Sequence, residues 1–142
     1  MNQTVMIFSD RVDTRHAWAD AFRQRGLEAV LTSSFAEVES YWRSGAPMLT
    51  VVDLSIGNSQ GLEVCRRLRT LDYASILLIL ATPSDDDLMR AYQAGVTECL
   101  IQPASPAVIL LKALAWSMRR VWMESAPVYE SSPVGFYSMV GS

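Results

Sequence analysis

Residues 48–71 read MLTVVDLSIGNSQGLEVCRRLRTL, and the fold turns on how this stretch is read. Met48–Asp53 is a short apolar run rich in β-branched residues that stops abruptly on a carboxylate. A strand apolar on both faces belongs inside a parallel sheet with helices above and below it. After a polar loop, Leu62, Cys65, Leu68 and Leu71 recur every third residue. That spacing predicts a helix over Leu62–Leu71 with one buried side. The stretch is therefore one strand–loop–helix unit with an acid at the strand's carboxyl end.

The same unit repeats in both directions. Upstream, Thr4–Ser9 predicts a first strand, and Asp13 is placed to cap a helix over Thr14–Arg25 that stops at Gly26. Leu27–Thr32 predicts a second strand, followed by a capping-box pattern, Ser34-Phe-Ala-Glu37, opening a helix to about Arg43. Downstream, Ser75–Leu80 is a further apolar strand. Ser84 with Asp85–Asp87 opens a helix to Ala94, ended by Gly95. Thr97–Ile101 makes the last strand, and Ser105 and Pro106 start a final helix reaching about Met123. Five such units predict an α/β domain: a doubly wound (βα)5 five-stranded parallel sheet in three layers, α/β/α.

A chain of 142 residues has room for one domain, here residues 1–123. Residues 124–142 (ESAPVYESSPVGFYSMVGS) break the pattern and are expected to form a tail or linker stub. Twelve basic and fifteen acidic residues give a net charge of −3, which argues against direct nucleic-acid binding. The longest apolar runs, Ile76–Ala81 and Pro106–Leu111, fall short of the roughly 20 residues of a membrane helix. Residues 1–11 lack the basic and apolar regions of a signal peptide. Cys65 and Cys99 lie in separate apolar segments, as expected of reduced thiols in a cytoplasmic protein.

In a parallel sheet, the loops at the carboxyl ends of the strands converge on one edge, where ligands bind. Asp10, Asp53 and Gln102 all fall at such ends and should be neighbours. Asp10 after the first strand, Asp53-Leu-Ser…Gly61-Leu-Glu-Val-Cys-Arg-Arg-Leu-Arg, and Ala94-Gly95-Val…Leu100-Ile-Gln-Pro103 together resemble the receiver domains of bacterial response regulators. The resemblance covers roughly Thr4 to Arg120 and implies a flavodoxin-like fold. It also implies phosphoryl transfer from a histidine kinase to Asp53. In that family a divalent cation, usually Mg²⁺, is held by an acidic pair, the phosphoacceptor and a backbone carbonyl. Here these positions fall at Asp10, Asp53 and Ser55.

The sequence departs from the pattern at the positions that do the work. The acidic pair is Ser9-Asp10, the switch hydroxyl position is Leu80, the aromatic switch position is Cys99, the lysine before Pro103 is Gln102, and Gly57 replaces a proline. Hydrogen bonds to charged groups contribute about 1.5–3 kcal/mol each, so losing the lysine and the hydroxyl removes about 3–6 kcal/mol of interaction with a phosphoryl group. Throwing a two-state switch takes about 5.5 kcal/mol of differential binding. The expectation is an atypical receiver whose Asp53 has lost its cationic and hydroxyl partners, with a weak or absent Mg²⁺ site. Thr82, just beyond Leu80, is a substitute hydroxyl only if the loop is shifted, and is more simply a loop residue.

Other eye-catching residues have plain explanations. Asp85–Asp87 suit the positive end of a helix better than a metal, His16 suits a surface, and Cys65 suits the core. The last helix is more informative. Val108, Ile109, Leu110, Leu111, Leu114, Trp116, Met118, Val121, Trp122 and Met123 surround nearly its whole circumference, whereas one sheet-facing stripe would suffice. The surplus predicts burial against the tail or a partner. Arg119 and Arg120 complement the helix C-terminus.

The reading is a non-catalytic signalling module acting by protein–protein contact, with a histidine kinase, phosphotransfer protein or output protein as partner, or as a homodimer through the last helix and tail. One alternative is a working phosphoacceptor of a phosphorelay. Another is a small-molecule-binding flavodoxin-like domain, although the first loop, Ser9–Asp13, has no Gly-rich phosphate cradle.

Overall fold

The computed structural model describes residues 4–54 and 57–125, with side chains through residue 115. Five strands, β1 (Thr4–Ser9), β2 (Glu28–Thr32), β3 (Leu49–Asp53), β4 (Ser75–Leu80) and β5 (Glu98–Ile101), alternate with five helices. The helices are α1 (Val12–Arg23), α2 (Phe35–Gly45), α3 (Asn58–Arg69), α4 (Asp85–Gln93) and α5 (Pro106–Ser125). All strands pair in parallel, in the order β2-β1-β3-β4-β5. The expected doubly wound three-layer architecture is the one observed.

Alternating side chains of the central strands supply two apolar layers. Met6, Phe8, Val52, Leu78 and Leu80 meet Val38, Trp42, Leu62, Cys65, Leu68 and Ala91 of α2, α3 and α4. On the other face Val5, Ile7, Val51, Leu77 and Ile79 meet Trp18, Ala19 and Phe22 of α1 and Ile109 and Ala113 of α5. The indoles do not waste their N–H groups. Trp42 donates to the Thr50 hydroxyl at 2.8 Å, and Trp18 donates to the Ala104 carbonyl at 3.2 Å.

Two helix starts differ from the sequence expectation. Helix α1 begins at Val12 with Arg11, in extended backbone, at its N-cap; Asp13 lies inside the first turn and does not cap. There its carboxylate still faces the positive end of the helix. Helix α3 begins at Asn58, four residues before Leu62. Gly57, at φ +134°, lets the chain turn directly into the helix, a conformation open to glycine and few others. Gly61 then sits within α3, where a Cβ would lie 3.1 Å from Leu78 Cδ1. Ser34, Ser84 and Ser105 cap their helices as expected, accepting from the N–H groups of Glu37, Asp87 and Val108.

The capping box is completed at α4, where the Asp87 carboxylate accepts from the Ser84 N–H. That bond, with smaller help from Asn58 and Arg90, holds the Asp87 pKa below the ordinary value of 3.8. The sign follows. The cap is fully formed above that value and is lost as pH falls from near 4 through the lowered folded pKa. The Ser84 amide, which donates to that carboxylate, should therefore lose exchange protection only below about pH 4, and an Asp87→Asn variant should lose this pH dependence.

Arg69 ties three elements together at the opposite end of the sheet. Its guanidinium donates to the Gly95 carbonyl at 2.6 and 3.0 Å, to Ala74 at 2.7 Å and to Asp72 at 3.0 Å. Gly95 has φ +95°, and a Cβ there would lie 2.8 Å from Arg69 Cγ. Arg69→Met keeps the stem and removes the fork. We expect a loss of about 2–3 kcal/mol, near the upper range for one charge-assisted hydrogen bond because water replaces the exposed ones. A lowered urea midpoint at unchanged slope would register it.

Candidate functional site

The site lies where β1 and β3 end side by side, with Ser9 paired to Asp53 in the parallel ladder. Asp53 is 0% exposed, which puts an ionisable carboxylate wholly inside the protein. Burying such a group is costly unless it is paired and hydrogen-bonded. Among the described residues, four donors satisfy it. Arg11 donates to Oδ2 through Nε at 2.9 Å and Nη2 at 2.6 Å. The Ser9 hydroxyl donates to Oδ2 at 3.2 Å, and Gln102 Nε2 donates to Oδ1 at 2.8 Å.

The local backbone explains how Arg11 arrives there. Ser9 Oγ accepts from the Arg11 N–H at 3.1 Å while donating to Asp53, so one hydroxyl fixes both the loop and the carboxylate. Arg15, one helical turn later, anchors the same strand end by donating to the Ser9 carbonyl at 2.8 Å. Its Nε is buried without a hydrogen-bond partner among the described residues. Gln102 is fixed from the other side, its N–H donating to the Leu80 carbonyl at 2.8 Å ahead of the cis peptide bond to Pro103.

These contacts correct one expectation. Asp53 has not lost all cationic and hydroxyl help: Arg11 supplies the cation and Ser9 the hydroxyl. The family's own positions for these groups, after β4 and before Pro103, hold Leu80 and Gln102, and the sequence reading stops there. The available signal was a basic residue two positions beyond the end of a strand whose neighbour ends in a buried acid. Gln102 does reach Asp53, as its strand-end position implied. Asp10 is exposed on the turn after β1. Ser55 lies outside the described residues, as do the side chains of Trp116, Met118, Arg119, Arg120, Val121, Trp122 and Met123.

The other altered positions are occupied as packing residues. Leu80 is fully buried against α3 and α4. Thr82 is exposed, at φ +35°. Cys99 is half-buried; burial raises its thiol pKa, and a hydrogen bond with Tyr92 partly opposes this. Burial pushes the Cys65 thiol up to about 12, so it stays protonated in the core.

A divalent cation of the kind the family implies does not fit these residues. Asp53 Oδ2 already faces a guanidinium, and a metal ion there would meet a positive charge at bonding distance. Among the described residues no three His, Cys, Asp or Glu side chains gather as a ligand set. The chemistry present is a neutral, closed ion pair.

The loop after β4 is held by another unanticipated residue. Asn58, at the start of α3, donates to the Ala81 carbonyl at 2.9 Å and accepts from the Ala81 N–H at 3.1 Å. Beyond this loop, Met89 and Tyr92 of α4, Ile101 of β5, and Val108 and Leu111 of α5 are exposed apolar side chains flanking the edge strand. Glu98 and Lys112 pair beside them.

Fold and site together define an α/β signalling-type domain of flavodoxin-like strand order, with a carboxylate at the carboxyl end of its middle strand. The chain belongs to the response regulator receiver domain family, whose model matches residues 5–114. It is 24% identical over 106 residues to the transcriptional regulatory protein AfsQ1 of Streptomyces coelicolor, covering 75% of this chain and 47% of that protein. It thus spans about half the length of such curated relatives. A CheY-like receiver domain protein from Methanospirillum hungatei superposes with a TM-score of 0.74 at 14% identity, covering 87% of this chain and 99% of that one. A response regulator from Burkholderia pseudomallei, solved with a phosphorylated aspartic acid, calcium ion and citrate, gives 0.68 at 21% identity, covering 90% and 78%. The chain is therefore a receiver domain of the two-component response-regulator type. Among the described residues no helix is long and apolar enough to cross a membrane.

Proposed function

We propose that this receiver is atypical and signals by protein–protein contact through the α4–β5–α5 face, without a phosphoryl switch at Asp53. The observation that carries the reading is the engaged carboxylate: Asp53 is fully buried, with three donors converging on Oδ2 and Gln102 Nε2 on Oδ1. A nucleophile that is buried and held by an ion pair on one oxygen and a hydrogen bond on the other is a poor one, because its charge is already neutralised and its approach is covered. The exposed apolar side chains beside β5 supply the contact surface. A kinase, phosphotransfer or output protein, or a second copy of the chain, is the partner this reading expects.

The test is incubation with acetyl phosphate and Mg²⁺ followed by intact mass measurement. An unmodified mass is expected, and a stoichiometric adduct lost in Asp53→Ala overturns the phosphate-independent reading. One observation favours that rival, a working phosphoacceptor: Arg11 and Ser9 set a cation and a hydroxyl directly against Asp53 Oδ2. The proposed domain boundary, with residues 124–142 as a tail, is tested by sedimentation with and without that segment. A shift from dimer to monomer assigns the tail to the interface; no shift assigns the contact to α5.

A further inference from the structure

We propose that Arg11 is a tethered replacement for the divalent cation, so that the domain carries its own permanent counter-charge and removing Arg11 leaves the Asp53 carboxylate open to a divalent cation. This deepens the reading above and rests on the same closed carboxylate. The guanidinium meets Asp53 Oδ2 through two nitrogens, at 2.9 and 2.6 Å, on the oxygen that Ser9 also reaches. Its side chain is 33% exposed while that of Asp53 is 0% exposed, so the guanidinium bridges the solvent and a buried acid.

The substitution is consistent along the strand end. Ser9 lies directly beside Asp53 in the ladder, and a second carboxylate there would have called for more than one positive charge. With serine in that place, one guanidinium balances the one buried carboxylate. A hydroxyl at Ser9 also does what a carboxylate could not: it donates to Asp53 and accepts from the Arg11 N–H, holding the guanidinium's own backbone in place. Loss of one acid and gain of a neighbouring base are two halves of one change. A bound ion can leave; a side chain cannot.

The experiment compares thermal melting of the full chain in chelator and in excess Mg²⁺, with Mn²⁺ binding counted by electron paramagnetic resonance. Wild type is expected to melt at the same temperature in both and to bind no Mn²⁺. Arg11→Ala should melt lower in chelator, recover in Mg²⁺ and bind one Mn²⁺. Arg11→Lys, which keeps the charge, should remain indifferent. Should Arg11→Ala not fold in chelator, Arg11→Gln, of similar length and uncharged, serves the same comparison. A wild-type protein stabilised by Mg²⁺ as much as the variants, or variants that ignore Mg²⁺ and Mn²⁺, would overturn the proposal. The two readings fail separately. An acetyl-phosphate adduct formed without metal removes the phosphate-independent one and leaves the tethered cation standing, whereas a wild-type Mg²⁺ response removes the tethered cation alone.

Discussion

Arg11→Ala in metal-free buffer is expected to cost about 3–5 kcal/mol of stability, the range for removing one partner of a buried pair. The magnitude comes from the stranded carboxylate more than from the ion pair itself. Asp53 would remain inside the protein with only two neutral side chains, Ser9 and Gln102, to solvate it. Taking out both charges should be far cheaper: Arg11→Met with Asp53→Leu is expected to be near neutral or stabilising, because the desolvation of both ions disappears with them. Exposed pairs provide the internal control. Breaking Arg66–Glu63 or Arg90–Asp86 should cost no more than about 1 kcal/mol. Urea unfolding followed by tryptophan fluorescence measures all four. A loss below about 1 kcal/mol for Arg11→Ala, no more than an exposed pair, would mean that water reaches Asp53, and the closed site would go with it.

Trp42→Ala should rank with it, at about 3–5 kcal/mol, because a large buried ring leaves a cavity that its neighbours fill only in part. Trp42 is 2% exposed and packs with α3 and the sheet. Thr50→Val isolates the polar share. It keeps the volume but leaves the indole N–H, now 2.8 Å from the Thr50 hydroxyl, without a partner, at a cost of about 1–3 kcal/mol. Packing is expected to outweigh the hydrogen bond. Equal losses from the two variants, read from the same urea curves, would reverse that ranking.

The sheet is legible in the sequence because its strands are short apolar runs ended by turn residues and polar caps. Ser75–Leu80 agrees to the residue, and the serine caps at 34, 84 and 105 are all in place. Helix starts are less legible where the chain leaves a strand directly. Arg11 and Asn58 each sit at the entry to a helix, yet their side chains answer to groups 42 and 23 residues away. Local pattern carries no trace of such distant partners. The same limit hides the cation at Asp53. The family positions for lysine and hydroxyl are visibly changed in the sequence, but the cation and hydroxyl that reach Asp53 come from the end of β1, as Arg11 and Ser9.

The amide of Asn58 meets the backbone of Ala81 edge to edge, each giving one hydrogen and taking one, much as two bases pair. Peeling that loop away gives up both bonds, about 1–3 kcal/mol at about 0.5–1.5 each. For a partner docking on α4, as proposed, the loop is already set and little ordering is left to do on arrival. Capture by a pre-set surface is governed by how often the two bodies meet in the right orientation, and the length of the stay by how well their apolar side chains interlock.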